Sequence, residues 1–244
     1  MAVVLDADKY LFIVDYYNDR VVGSGPNGFR CIVGCSGTSS DYWKWLQQSF
    51  TSNLRAQQWY NKAIPRNLSG YINDKSNRLI GWATMRQLRS KSHPCSPQTL
   101  RSDCVSDYSF STEDQDSYRP EWTNNQTTED YSFTILKAFA YRSSKELDTY
   151  VNIGDHGSYG GGGYVYEFRG RLSEIQSNVS MLHHLRWIDN QTRAVIIQLT
   201  LYNPNVQLFT SITFLTEFLS VGGVVSQARF EPIDLTSKVF FHLK

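Results

Sequence analysis

A long hydrophobic run is the first thing this chain lacks. Its longest apolar stretches, such as Ala194–Ile197 and Phe240–Phe241, fall far below the roughly 18 residues that a membrane-spanning helix requires. No segment therefore predicts a bilayer crossing. A signal peptide is missing too, because Asp6 and Asp8 interrupt the opening apolar residues and no basic segment precedes them. Neither sign of charge dominates: 24 Lys and Arg stand against 23 Asp and Glu, a net charge of +1. Without a basic stripe, the electrostatic footprint of nucleic-acid binding is absent. No G-x-S-x-G or H-E-x-x-H occurs. The reading is a non-enzyme with no cofactor and no nucleic-acid partner.

What is present suits a packed, strand-rich domain. Apolar residues make up 41% of the 244, enough for a core, and aromatic residues 14%. The four cysteines fall into two close pairs, Cys31/Cys35 and Cys95/Cys104. Each pair flanks turn-like sequence, which favours oxidised pairs over buried thiols. The Ser-His-Pro-Cys-Ser-Pro surround of Cys95 cannot pack a core. A bond to Cys104 closes about ten residues, worth roughly 2–3 kcal/mol in the loop-entropy picture. For Cys31/Cys35 the Cα separation decides. Four glycosylation signals begin at Asn67, Asn125, Asn178 and Asn190. Asn190 lies in a polar connection, whereas Asn178 falls inside a helical pattern. Extracellular features without an export signal predict a piece of a larger protein.

Composition changes near residue 40. Before it, Val3–Leu5, Tyr10–Val14 and Phe29–Val33 read as three short strands separated by turns. After it, Asp41–Tyr60 has near-helical spacing with Asp41 as a candidate N-cap. Arg78–Arg89 reads as a strand entering a polar loop region, and Thr134–Tyr141 as another strand. Ser143 to Glu146 has capping-box spacing. Tyr164–Phe168 alternates like a half-buried strand. Leu172, Ile175, Val179, Leu182 and Leu185 mark an amphipathic helix. Three strands follow, Ala194–Tyr202, Leu208–Phe218 and Val224–Phe230. The predicted class is α+β, helices packed on an antiparallel sheet with long disulfide-pinned loops.

Several motifs invite a chemical reading and fail it. Gly23–Gly28 spells G-x-G-x-x-G, but Pro26 removes an amide and strand-like Phe29–Val33 follows, so a β-turn is favoured over a dinucleotide cradle. Gly160–Gly163 has no Lys-Ser/Thr after it, which favours a bulge or a close backbone approach. His183 and His184 are adjacent on a helix and cannot share one metal; one of them suits the helix C-terminal end. Asp155-His156 and Asp114/Asp116 read as loop charges. Glu113–Asp116 lacks the twelve-residue calcium-loop pattern. No catalytic or metal site is assigned.

Two resemblances organise these pieces. Val4-Leu5-Asp6, Leu11–Asp15 and Asn18–Val22 resemble one NHL-type β-propeller blade, which implies a partial repeat over residues 1–40 that lacks its neighbours. From Trp43 onward the chain resembles the extracellular domain of the polycystin family, in its polycystin-1-like form. The carrying residues are Asn67–Gly70, Asn73–Lys75, Asn77–Gly81, Met85–Arg89, Ser158–Tyr164, Trp187–Asp189, Thr192–Ala194, Leu201–Asn203, Asn205–Phe209, and Glu217-Phe218 with Gly222-Gly223. Cys95 and Cys104 sit where that family closes a short disulfide loop. The resemblance implies an extracellular domain over 41–235 and a tail, 236–244, leading towards a transmembrane helix. It further implies assembly with other polycystin subunits, as a homo- or hetero-tetramer forming a lid above a cation pore. The flanking helices and the pore have no counterpart in these residues, so conduction is not carried over. A soluble or secreted glycoprotein binding module stands as the alternative.

Overall fold

The computed structural model describes residues 2–5, 11–15, 20–25, 28–33, 39–58, 70–95, 103–124, 130–220 and 223–233; before residue 39, and at Asp103, it describes the backbone alone. Strands β1 (Ala2–Leu5), β2 (Leu11–Asp15), β3 (Arg20–Gly25) and β4 (Gly28–Val33) pair in chain order as an antiparallel meander. This is one strand more than the apolar runs predict, because Arg20–Gly25 carries only Val21 and Val22 as large apolar residues. Gly25 lies opposite Gly28, so the glycine motif closes a hairpin and opens no helix.

Helix α1 (Ser39–Trp45) widens into a π-helical stretch (Leu46–Phe50) and ends in one further turn, α2 (Thr51–Asn53). The predicted helix over 41–60 is thus shorter and starts earlier. Asp41 is not its cap but lies in its first turn, where a carboxylate suits the positive end of the helix dipole. Next come β5 (Arg78–Arg89) and a small hairpin, β6 (Ser92–Pro94) with β7 (Asp103–Val105). Helix α3 (Phe133–Ala138), strand β8 (Tyr141–Arg142) and helix α4 (Ser144–Leu147) follow. A second hairpin pairs β9 (Asn152–Ile153) with β10 (Ser158–Tyr159), and the chain ends in β11 (Gly163–Glu167), α5 (Leu172–His184), β12 (Thr192–Asn203), β13 (Leu208–Phe218) and β14 (Val224–Ile233).

The strand predicted over 134–141 is a helix followed by a two-residue strand. Ser132 caps it, its hydroxyl accepting from the Ile135 amide at 3.4 Å, and Ile135 and Ala138 then pack into the core. The capping box at Ser143 and Glu146 forms as its spacing suggests.

Six strands make one antiparallel sheet in the order β14-β13-β12-β5-β11-β8. Tyr164 and Tyr166 join the main core while Val165 is covered as well, so β11 is buried from Gly163 to Tyr166 rather than half-buried as its alternation suggests. Side chains alternate across the sheet. Met85, Val195 and Ile197 meet Trp43, Leu46 and Phe50 of the N-terminal helix and Ile175, Val179 and Leu182 of α5. Each of those three α5 residues is fully buried, a burial worth about 1.5–3 kcal/mol apiece. Leu88, Ala194, Ile196 and Leu215 form a second cluster on the other face, covered by Tyr108 and Tyr159 from loops. Among the described residues no helix is long and apolar enough to cross a membrane.

Candidate functional site

The second face of the sheet carries a layer of loops, residues 106–117 and 148–163, held from below by two buried charges. Arg86, on β5, is 2% exposed, and its Nη1 donates to the carbonyls of Gly160 and, at 2.9 Å, Gly162. Burial pushes its guanidinium down to about 10, still charged at neutral pH, with Tyr108, Glu113 and Tyr141 opposing that shift. Glu217, on β13, is fully buried. Its carboxylate accepts from the amides of Asp155 (3.1 Å) and His156 (3.0 Å) and from the Tyr159 hydroxyl (2.8 Å), and lies 3.3 Å from His156 Nδ1. Burial and this carboxylate both drive the Tyr159 phenol well above its ordinary range.

The loops also hold one another. The Gly160 amide donates to Tyr108 Oη at 3.0 Å, and Thr149 Oγ1 donates to the Gly161 carbonyl. A side chain at Gly161 would overlap the Thr149 carbonyl, and Gly163 has φ +139° against the Gln87 carbonyl. The glycine run is a close backbone approach, not a phosphate cradle.

Above these anchors the 148–153 loop turns apolar side chains to solvent. Tyr150 is 84% exposed, Val151 52% and Ile153 68%. Phe110, 58% exposed, stands on the other loop with its ring 6.4 Å from that of Tyr108. Solvent-facing apolar groups normally carry a mobile-chain cost on docking. Here the chain that follows the exposed residues, from Asp155 to Gly162, is held by Arg86 and Glu217.

A second buried arginine ties the loops to the other end of the sheet. Arg89 Nη1 contacts Asp189 Oδ1 at 2.8 Å, Nη2 donates to Gln191 Oε1 at 3.0 Å, and Nε lies 3.6 Å from Asp114 Oδ2, an ionic contact longer than a hydrogen bond. The guanidinium lies over the Trp122 ring, 3.5 Å from its centroid. Asp114 is 1% exposed, so it is not the loop charge its sequence suggests. Asp155 and His156 keep exposed side chains, as loop charges would, while Glu217 accepts from their backbone amides. Sequence patterning gave these charges no role, and the signal was a charge inside an apolar strand: Arg86 and Arg89 in β5, Glu217 in β13.

The other singled-out residues are scattered. Cys95 and Cys104 are joined, their Cα atoms 5.0 Å apart, across the β6–β7 hairpin. Cys31 has only its backbone described, in β4, and Cys35, Asn67 and Asn125 lie outside the described residues. Asn178 is half-buried in α5, and Asn190 is exposed. His183 stacks on Trp43 with ring centroids 4.8 Å apart, and its Nδ1 is 3.3 Å from Gln47 Nε2.

Comparison with known proteins accounts for the frame. The polycystin domain family matches residues 35–236. Location of vulva defective 1 of Caenorhabditis elegans is 30% identical over 217 residues, covering 86% of this chain and 6% of that protein. Polycystin-2 of Danio rerio is 30% identical over 223 residues, covering 89% of this chain and 23% of that protein. Polycystin-2 of Caenorhabditis elegans is 29% identical over 234 residues, covering 91% and 30%. The chain therefore spans less than a third of the length of these relatives. With one family matched across most of its length, and with relatives aligned over the same span, the chain belongs to the polycystin family.

Proposed function

We propose that this domain is the extracellular assembly and gating module of a polycystin-type channel or receptor-like membrane protein. Membrane attachment and any pore belong to other parts of the whole protein. Its partner is a second polycystin domain, from the same or another subunit, in a ring of four. The observation that carries this reading is the exposure of Tyr150, Val151 and Ile153 on a loop that leads into a segment held by buried Arg86 and Glu217. A ring needs a heterologous contact, one surface of each copy against a different surface of the next, and an apolar projection suits one half of such a contact.

The test replaces Tyr150 and Val151 by Ser and Ile153 by Asp in the chain. These side chains lie in solvent, so folding should be unaffected, as circular dichroism would show. Sedimentation velocity should find concentration-dependent association in the parent chain and its loss in the variant. Equal association in both would overturn the docking role of this loop.

A further inference from the structure

The structure points to a glycan-bearing face separate from the docking loop. We infer that Asn190 carries an N-linked oligosaccharide, and that this sugar covers the groove beside it. The inference rests on the extracellular placement proposed above, since the transferase acts only on chains entering the secretory pathway.

Two of the glycosylation signals have described asparagines, and the fold treats them oppositely. Asn178 lies on α5, half-buried one residue before the fully buried Val179. A sugar added there before folding would stand beside the packed face of α5 and obstruct it, so chains that carry it would be lost from the folded, secreted pool. Asn190 sits in the turn between α5 and β12. Its neighbours build that turn: the Asp189 amide donates to Thr192 Oγ1 at 2.9 Å, the Gln191 amide donates to Asp189 Oδ1 at 3.0 Å, and the Thr192 amide donates to the Asp189 carbonyl at 3.1 Å. Arg193 Nη1 donates to the Asn190 carbonyl at 2.8 Å. Every one of these contacts spares the Asn190 side chain, which is directed to solvent.

Thr192 has a double role. Its hydroxyl completes the acceptor signal while the chain is extended, and after folding it is fully buried, where the Gln87 amide also donates to it. Transfer precedes folding, so burial of Thr192 is no obstacle. It does mean that removing Thr192 would damage the fold, and that Asn190 is the position to change.

Asn190 stands on the rim of a groove of about 1620 Å³, lined in part by Trp122, Arg186, Asp189 and Gln191. Neither Tyr150 nor Ile153 contributes to it. A sugar attached at Asn190 hydrates this groove and denies it to protein partners, while the 148–153 loop remains bare for docking.

The chain is expressed with a secretion leader in a eukaryotic host, and glycosylated positions are marked by peptide-N-glycosidase release in ¹⁸O water. Expected are labelled Asn190 and unlabelled Asn178. Label at Asn67 or Asn125 with none at Asn190 overturns the inference and leaves the secretory placement standing. No label at any of the four overturns both, and label at Asn178 overturns the structural selection between the two sites. Phenylglyoxal, which modifies exposed guanidinium groups, reads the covering role. Arg186 should react several-fold faster in Asn190→Gln and in enzymatically deglycosylated protein than in the glycosylated chain. Equal rates would refute the covering role.

Discussion

Among the described residues three arginines, Arg86, Arg89 and Arg193, and three carboxylates, Glu113, Asp114 and Glu217, are buried. A buried ion left unpaired costs several kcal/mol, so each must be partnered. Arg89 and Asp114 offer the sharpest test. Asp114 also accepts from the Tyr118 hydroxyl at 3.1 and 3.2 Å and from the Asp116 amide at 3.2 Å, so its carboxylate is the hub of a network. Arg89→Met strands Asp114 and should cost about 3–5 kcal/mol. Combining it with Asp114→Asn should cost less than the two single changes added together, with a coupling of about 0.5–3 kcal/mol. Urea denaturation of the four proteins measures this, and strict additivity would show that the two charges are not coupled. Residue-scale chemistry was the least legible part of the sequence. Arg86 and Glu217 stand out as charges in apolar strands, but only strand pairing shows that they meet the 148–163 loop.

Elements were legible where one local signal governs and obscure where tertiary contacts decide. Leu172 to Leu185 marks α5 because its five apolar positions repeat at helical spacing, and Arg78–Arg89 marks β5 because its flanks are clear. Thr134–Tyr141 misleads because Ile135, Leu136 and Phe139 suit a strand as well as a helix, and the Ser132 cap settles the matter. The β6–β7 hairpin depends on its crosslink. Three residues per strand give little pairing, with His93 opposite Cys104, and the exposed β6 side chains bring no core. Cys95→Ser with Cys104→Ser should therefore lower stability by roughly 2–3 kcal/mol. The Tyr108 anchor, three residues beyond the end of β7, should loosen with it, read as faster amide exchange at Gly160. Non-reducing peptide mapping of secreted protein gives the direct check, because two free thiols at these positions would remove the crosslink from the account.

At the scale of the molecule the open question is how far the sheet depends on the N-terminal meander. The family match begins at residue 35, and the helical segment that starts with α1 at Ser39 and runs on through the π-helical stretch supplies Tyr42, Trp43, Leu46 and Phe50 to the core. A cut inside α1 would remove part of that packing, so a fair truncation begins at Ser36. The meander is not remote: Cα atoms of β3 and β4 come within 8 Å of β14. Yet β14 is the outer strand of the six, and its exposed Arg229, Glu231 and Pro232 are the residue types that keep an open edge from pairing with other chains. A four-stranded antiparallel meander, by contrast, has two strand edges of its own that need covering. Residues 36–244 should therefore melt cooperatively at the temperature of the full chain or above it, with less aggregation on heating. Differential scanning calorimetry with light scattering makes the comparison. If removal of residues 1–35 abolishes the cooperative transition, β14 and the meander share one core, and the domain boundary lies further upstream than the family match places it.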